Sequence, residues 1–263
     1  MEFPEGLTIG NGRFRLEKLL RGASRDGLWR GCDLELQGRS VWVTIRQAKP
    51  TAERAKKLTF CADGVALPIY VGPPDLYAPD GEIVRDAHLC VVDEIPDGVD
   101  LIQVGRLSDV ESIEVGVALC SLLATWATAS GGVILRGLRP ETIFVAPVDH
   151  RFVGATPRPY YLLGNQNEFR AYPRVAFDPP GLGHYELDVC DAVFTVALLV
   201  WWGVTGVHPY MIPGADYERN ELEDRRVPFD GPVPLGKLLE RALVADRRAR
   251  ISLEEFRGEL VAL

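Results

Sequence analysis

Apolar and polar residues alternate along the first third of the chain. "RFRLEKLL", "GLWRGCDLEL" and "SVWVTIR" place a hydrophobic side chain at roughly every second position, and Gly-Ala-Ser-Arg-Asp-Gly and Gln-Gly turns separate them. The pattern predicts an antiparallel meander. A short helix is expected at Ala52 to Cys61, then strands at Leu67 to Val71 and His88 to Ile95, the last running into a turn or hinge at "PDGVD".

From Ser108 the period changes. Ser108 and Glu111 have capping-box spacing, and Ile113, Val117, Cys120, Leu123 and Ala127 then recur on one helical face. A helix of about five turns is expected there. After Gly131-Gly132 come "VILRGLRPETIFVAP", a turn-rich piece with Asp149, Gly154, Pro157 and Pro159, and the strand-like "YYLLGN". Further helices are expected at Leu187 to Val204, at Leu235 to Ala245, and from Ser252, where Ser252 and Glu255 repeat the capping box. The predicted class is α+β: a sheet-rich lobe over residues 1–95, a hinge, and a helical lobe over residues 96–263 that completes one bilobal domain.

Composition narrows the function. The 263 residues are 47% hydrophobic, enough for a substantial core. A net charge of -8, from 37 acidic against 29 basic residues, gives no footprint for nucleic acid and repels an anionic membrane surface. The basic groups at Arg46 to Lys57 and Arg247 to Arg250 read as solvated faces. The five cysteines, Cys32, Cys61, Cys90, Cys120 and Cys190, form no C-x-x-C pair and read as small core residues, not as a disulfide or zinc framework. The opening "MEFPEGLTIG" lacks the charge and apolar run of a signal peptide, and the apolar Ala192 to Val204 is too short to span a bilayer. A cytoplasmic chain without a membrane span is expected. No G-x-S-x-G elbow is present, and His88, His150, His184 and His208 make no H-x-x-x-H pattern, which argues against a serine hydrolase or a zinc enzyme.

Five stretches, in this order, resemble protein kinases, particularly the bacterial serine/threonine kinases, over about Arg13 to Leu260. "GRFRLEKLL" with "LWRGCDLELQGRSVWVTI" looks like the first three strands, and "VVDEIPDG" looks like the hinge. "LRGLRPETIF" is similar to the catalytic loop H-R-D-L-K-P-E-N-I, "VTGVHPY" to the T-G-x-x-P-F that ends a long buried helix, and "LLERALVADRRARISLEEFRGEL" to the closing helices.

Phosphoryl transfer is mostly positioning and charge neutralisation, so the resemblance implies a short set of required groups. Arg21, Ala23 and Asp26 fall on the three glycines of the phosphate-cradling loop, with Gly22 and Gly27 beside them. Thr44 falls on the phosphate-binding lysine, with Arg46 two residues on, and Glu53 on the glutamate that this lysine meets. In the catalytic loop Leu135 stands for the histidine, Arg136 for the arginine, Gly137 for the catalytic aspartate, Arg139 for the lysine and Thr142 for the metal-binding asparagine, while Pro140 and Glu141 are retained. Gly164 takes the place of the magnesium-binding aspartate, and Pro180 that of the glutamate that normally meets the residue matched by Arg250. Glycine has no side chain to act as base, and one threonine hydroxyl makes a poor magnesium site.

The resemblance therefore implies a pseudokinase without catalytic, cofactor or metal residues, binding a protein partner as a scaffold or regulator. The alternative is an enzyme of other chemistry in a remodelled cleft, or a weak nucleotide binder, using Asp26, Asp93, Glu94 or Glu168. Tyr160, Tyr161, Trp201 and Trp202 are candidate partner-surface aromatics, although the tryptophans suit a helix core.

Overall fold

The computed structural model describes residues 3–24, 26–46, 64–66, 68–72, 75–77, 83–85, 89–130, 137–156, 189–210 and 227–263. The chain divides into two compact units, one built chiefly from residues up to Pro96 and the other chiefly from Asp97 onward. The class is mixed α and β, with a curled antiparallel sheet and several helices.

In the first unit the strands are β1 (Thr8–Ile9), β2 (Phe14–Ala23), β3 (Asp26–Asp33), β4 (Arg39–Arg46), β5 (Pro68–Gly72), β6 (Asp75–Tyr77), β7 (Ile83–Arg85) and β8 (Leu89–Glu94). They form one sheet in the order β5-β8-β4-β3-β2-β1-β6-β7. The alternating stretches supply the β2-β3-β4 meander, and β5 and β8 begin one residue after the expected starts. The ends of β5 and β6 are joined by Pro73-Pro74 alone, a reach of about 11 Å at most, yet the two strands lie near opposite ends of the sheet order. The sheet must curl until those ends meet. In keeping with this, the ring of Phe14 on β2 lies 6.0 Å from that of Tyr70 on β5. The curl encloses Phe3, Leu7, Ile9, Phe14, Leu16, Trp29, Val41, Val43, Ile45, Cys90 and Val92 in one core.

The second unit has a three-stranded sheet, β11-β10-β9, from β9 (Val99–Asp100), β10 (Ile143–Val145) and β11 (Phe152–Ala155). Its helices are α1 (Leu101–Val104), α2 (Asp109–Ser130), α3 (Val189–Thr205), α4 (Val233–Ala242) and α5 (Leu253–Ala262). Both capping boxes supply helix starts: Ser108 Oγ accepts from Glu111 N–H, Glu111 Oε2 accepts from Ser108 N–H at 2.7 Å, and Ser252 Oγ accepts from Glu255 N–H. The helix expected at Ala52 to Cys61 lies outside the described residues.

The packed face of α2 is rotated from the one expected. Cys120, Leu123 and Ala127 are buried, but Ile113 and Val117 are only partly so, and Ser112, Val115, Gly116 and Leu119 take the centre. The reason is Gly116: a Cβ there would sit 2.6 Å from Val200 Cγ2 and 3.2 Å from Leu260 Cδ1, so α3 and α5 approach closest where the hydrophobic pattern carries no signal. Among the described residues one stretch, Asp109–Thr128, is long and apolar enough to cross a membrane, and half of its window is buried within the protein. Helix α3 is buried on every side, and Trp201 and Trp202 belong to its core, not to a surface. Cys32, Cys90 and Cys120 are buried as expected; Cys190, at the second position of α3, is exposed, which corrects its reading as a core residue.

Candidate functional site

In the first unit the stretch expected, from the resemblance, at the phosphate-cradling loop is a closed hairpin. Arg21 pairs with Leu28, Gly22 with Gly27 and Ala23 with Asp26, with Ser24 in the turn. Two further bonds tie the turn to the core: the indole Nε1–H of buried Trp29 donates to the Ser24 carbonyl at 3.0 Å, and Phe3 N–H donates to Ser24 Oγ at 3.1 Å. A phosphate cradle needs backbone N–H groups directed at the ligand. Here the ladder runs up to the turn itself. Ala23 is exposed, while the side chains of Arg21 and Asp26 lie outside the described set.

Thr44 sits in the middle of the sheet, opposite Leu28 on β3 and Val91 on β8. Its neighbours Val43 and Ile45 face the enclosed core, so by alternation Thr44 shares the other face with Trp42 and Arg46. It is fully buried, and Oγ1 has no hydrogen-bond partner among the described residues, a placement that costs about 1–3 kcal/mol. A neutral hydroxyl there offers no positive charge to a phosphate. Asp93, opposite Trp42, puts a fully buried carboxylate on the same face. Glu94 forms an ion pair with Arg39, and Glu53 lies outside the described residues.

In the second unit the segment Gly137 to Val145 forms a tight loop, a 3-10 turn (Pro140–Thr142) and β10. Gly137 has φ +87°, a backbone state that side-chain-bearing residues rarely adopt. Thr142 is fully buried, and its hydroxyl is committed to its own loop: Oγ1 accepts from Arg139 N–H at 2.9 Å and lies 2.9 Å from Arg139 O and 3.1 Å from Gly137 O, to one of which it donates. Arg139, 3% exposed, turns its guanidinium onto Glu141 Oε1 at 3.1 Å. The Thr142 hydroxyl is thus bound within its own loop. Leu135, Arg136, Gly164, Glu168, Tyr160, Tyr161 and Pro180 lie outside the described residues.

Other polar groups of this unit are also bound into the fold. Arg250 bonds Asp191 Oδ1 at 3.1 Å, donates to the carbonyls of Val244 and Ala245, and lies 4.8 Å from the Phe194 ring centroid. Burial lowers the Arg250 pKa, and the nearby Asp191 carboxylate opposes that shift. Sequence reasoning assigned Arg250 no partner; the available signal was Asp191, an acid in the first turn of an otherwise apolar helix. His208, buried, accepts from Tyr210 N–H at 3.2 Å and is part of the core. His150 Nδ1 lies 2.9 Å from Glu111 Oε1, and the Ser108 hydrogen bonds, with His150 second, hold the Glu111 carboxyl below its ordinary pKa. Among the described residues no three His, Cys, Asp or Glu side chains are grouped to hold a metal ion.

No family model matches the chain, and no curated protein does.

Proposed function

We propose that the chain is a degenerate protein kinase-like protein, bilobal in plan, that has lost phosphoryl transfer and works by binding a protein partner as a scaffold or regulator. The observation that carries this reading is the commitment of Thr142. At the place of a metal-binding asparagine, its hydroxyl closes its own loop, next to a glycine where a catalytic aspartate would stand. Buried Thr44, neutral where a lysine is required, supports it. So does the order of elements, a strand meander, two further strands that pair with each other, a long capped helix, the 137–145 loop, a buried helix and a closing helix pair. A cytoplasmic location belongs to the same reading.

Two experiments test it. Incubation with radiolabelled ATP, magnesium or manganese, and generic protein substrates should transfer no phosphate; sustained transfer abolished by changing Thr44 or Thr142 would overturn the loss of catalysis. Affinity capture at native expression should recover a protein partner whose binding is lost on charge reversal of Arg54, Lys56 and Lys57, basic residues of the helix expected at Ala52 to Cys61, which the kinase resemblance makes the first choice of contact. If no partner is recovered, or if every partner survives that change and changes at Thr44 and Thr142 alike, the scaffold reading falls.

A further inference from the structure

The segment Phe3–Ile9 is inserted into the sheet, not laid over it. Thr8 pairs with Arg15 of β2 on one side and with Tyr77 of β6 on the other, so β1 is the strip that joins these two edges. The same segment gives Phe3, Leu7 and Ile9 to the enclosed core, exchanges backbone hydrogen bonds with Leu16 through Gly6 N–H and Leu7 O, and holds the Ser24 turn through Phe3 N–H. Without it, β2 and β6 would each expose an unpaired edge beside apolar seats.

This segment joins the rest of the sheet through a hinge at Gly10–Gly12. Gly10, Asn11 and Gly12 are three consecutive residues at positive φ, +59°, +56° and +83°, and the turn is closed by one backbone bond, Arg13 N–H to Gly10 O at 3.2 Å. Opening the hinge to an extended chain releases all three from the left-handed region. The vacated slot fits one strand best, an identical Phe3–Ile9 from a second copy, because every contact can be remade between chains. We infer that this protein self-associates by exchanging its Phe3–Ile9 segment between two copies, with Gly10–Gly12 as the hinge. The inference is independent of the proposed loss of catalysis.

The test pairs two full-length chains in a Cys32→Ser, Cys61→Ser, Cys190→Ser background, Cys32 being removed because it stands opposite Arg15 on β3, one chain carrying Thr8→Cys and the other Arg15→Cys. These positions are opposite each other in the β1–β2 register, so a crosslink between the two different chains needs exchange. The chains are mixed at high concentration, warmed, cooled and oxidised. The mixture should give a dimer band several-fold stronger than either chain alone. The band should strengthen with Asn11→Pro, whose fixed negative φ opposes the closed turn but suits an extended hinge. Deleting Gly10, Asn11 and Gly12, which leaves only Arg13 between the paired Ile9 and Phe14 and so too few residues for a hairpin, is the second hinge variant should Asn11→Pro fail to fold, and it should give a dimer by light scattering. A mixture no stronger than its single-chain controls, with the hinge variant monomeric, overturns the inference.

Discussion

The guanidinium of Arg250 meets the carboxylate of Asp191 at 3.1 Å, with side chains 1% and 9% exposed, so that the segment before the last helix is bolted to the first turn of α3. Arg247 adds a second, more exposed contact to Asp191 at 3.6 Å. Both charges were taken out of water, so removing Asp191 leaves Arg250 with the Val244 and Ala245 carbonyls but without its buried counter-charge, and removing Arg250 leaves Asp191 with only the more exposed Arg247 of this pair of arginines. Asp191→Ala should therefore destabilise the second unit by about 3 kcal/mol, and Arg250→Met by a similar amount. In a denaturant double-mutant cycle the pair should cost clearly less than the sum of the single changes. Strict additivity would show that the two residues do not act together.

On the proposed reading, placing an aspartate at position 137 should not confer phosphate transfer. Gly137→Asp puts a side chain on a backbone at φ +87° and should cost about 1–2 kcal/mol. Thermal denaturation reads the loss, and a phosphate-transfer assay should remain at background. A variant as stable as the parent would contradict the strained geometry at Gly137.

Acid should weaken the first unit through Asp33. The Arg13 hydrogen bonds, chiefly, hold this buried carboxyl below the ordinary aspartate pKa. A depressed folded pKa means that the stabilisation is complete above the unfolded value of about 4 and is lost as pH falls through the folded value. Arg13→Ala should reduce stability at pH 7 and flatten its fall below about pH 4. Denaturant melts over that range would show an unchanged slope if Asp33 carried none of the effect.

Thiol chemistry should separate the cysteines. Burial pushes the Cys120 thiol up to about 12 and Cys90 higher still, whereas Cys190 is exposed. Iodoacetamide on the folded protein should label Cys190 first, and Cys90 and Cys120 only after unfolding, as read by peptide mass spectrometry. Rapid native labelling of Cys90 would place it outside the core.

What could be read in the sequence follows physical rules that act locally. Alternation marked β2, β3 and β4, because alternate residues such as Phe14 and Leu16, Trp29, and Val41, Val43 and Ile45 supply the enclosed core, and Ser108 and Ser252 marked helix starts through bonds only three residues long. The closing of the sheet was not legible: it depends on β1 and β6, strands of two and three residues whose pairing is long-range. The α2 face was misread because its tightest contact is through Gly116, which has no side chain to score. The substitutions at Thr44, Gly137 and Thr142 were legible as residue types. The enclosure of Thr44 and the inward turn of Thr142 Oγ1 depend on tertiary packing, and no motif carries them.

The central claim is that no phosphate site remains, and ligand-induced stabilisation tests it most directly. Melting temperature should be measured with millimolar ATP, alone and with magnesium or manganese, against a buffer control. A ligand at about 100 times its dissociation constant stabilises by about 2.7 kcal/mol, a readily measured shift. The account predicts no shift under any of the three conditions. A clear metal-dependent rise that disappears on changing Thr44 or Thr142 would contradict it.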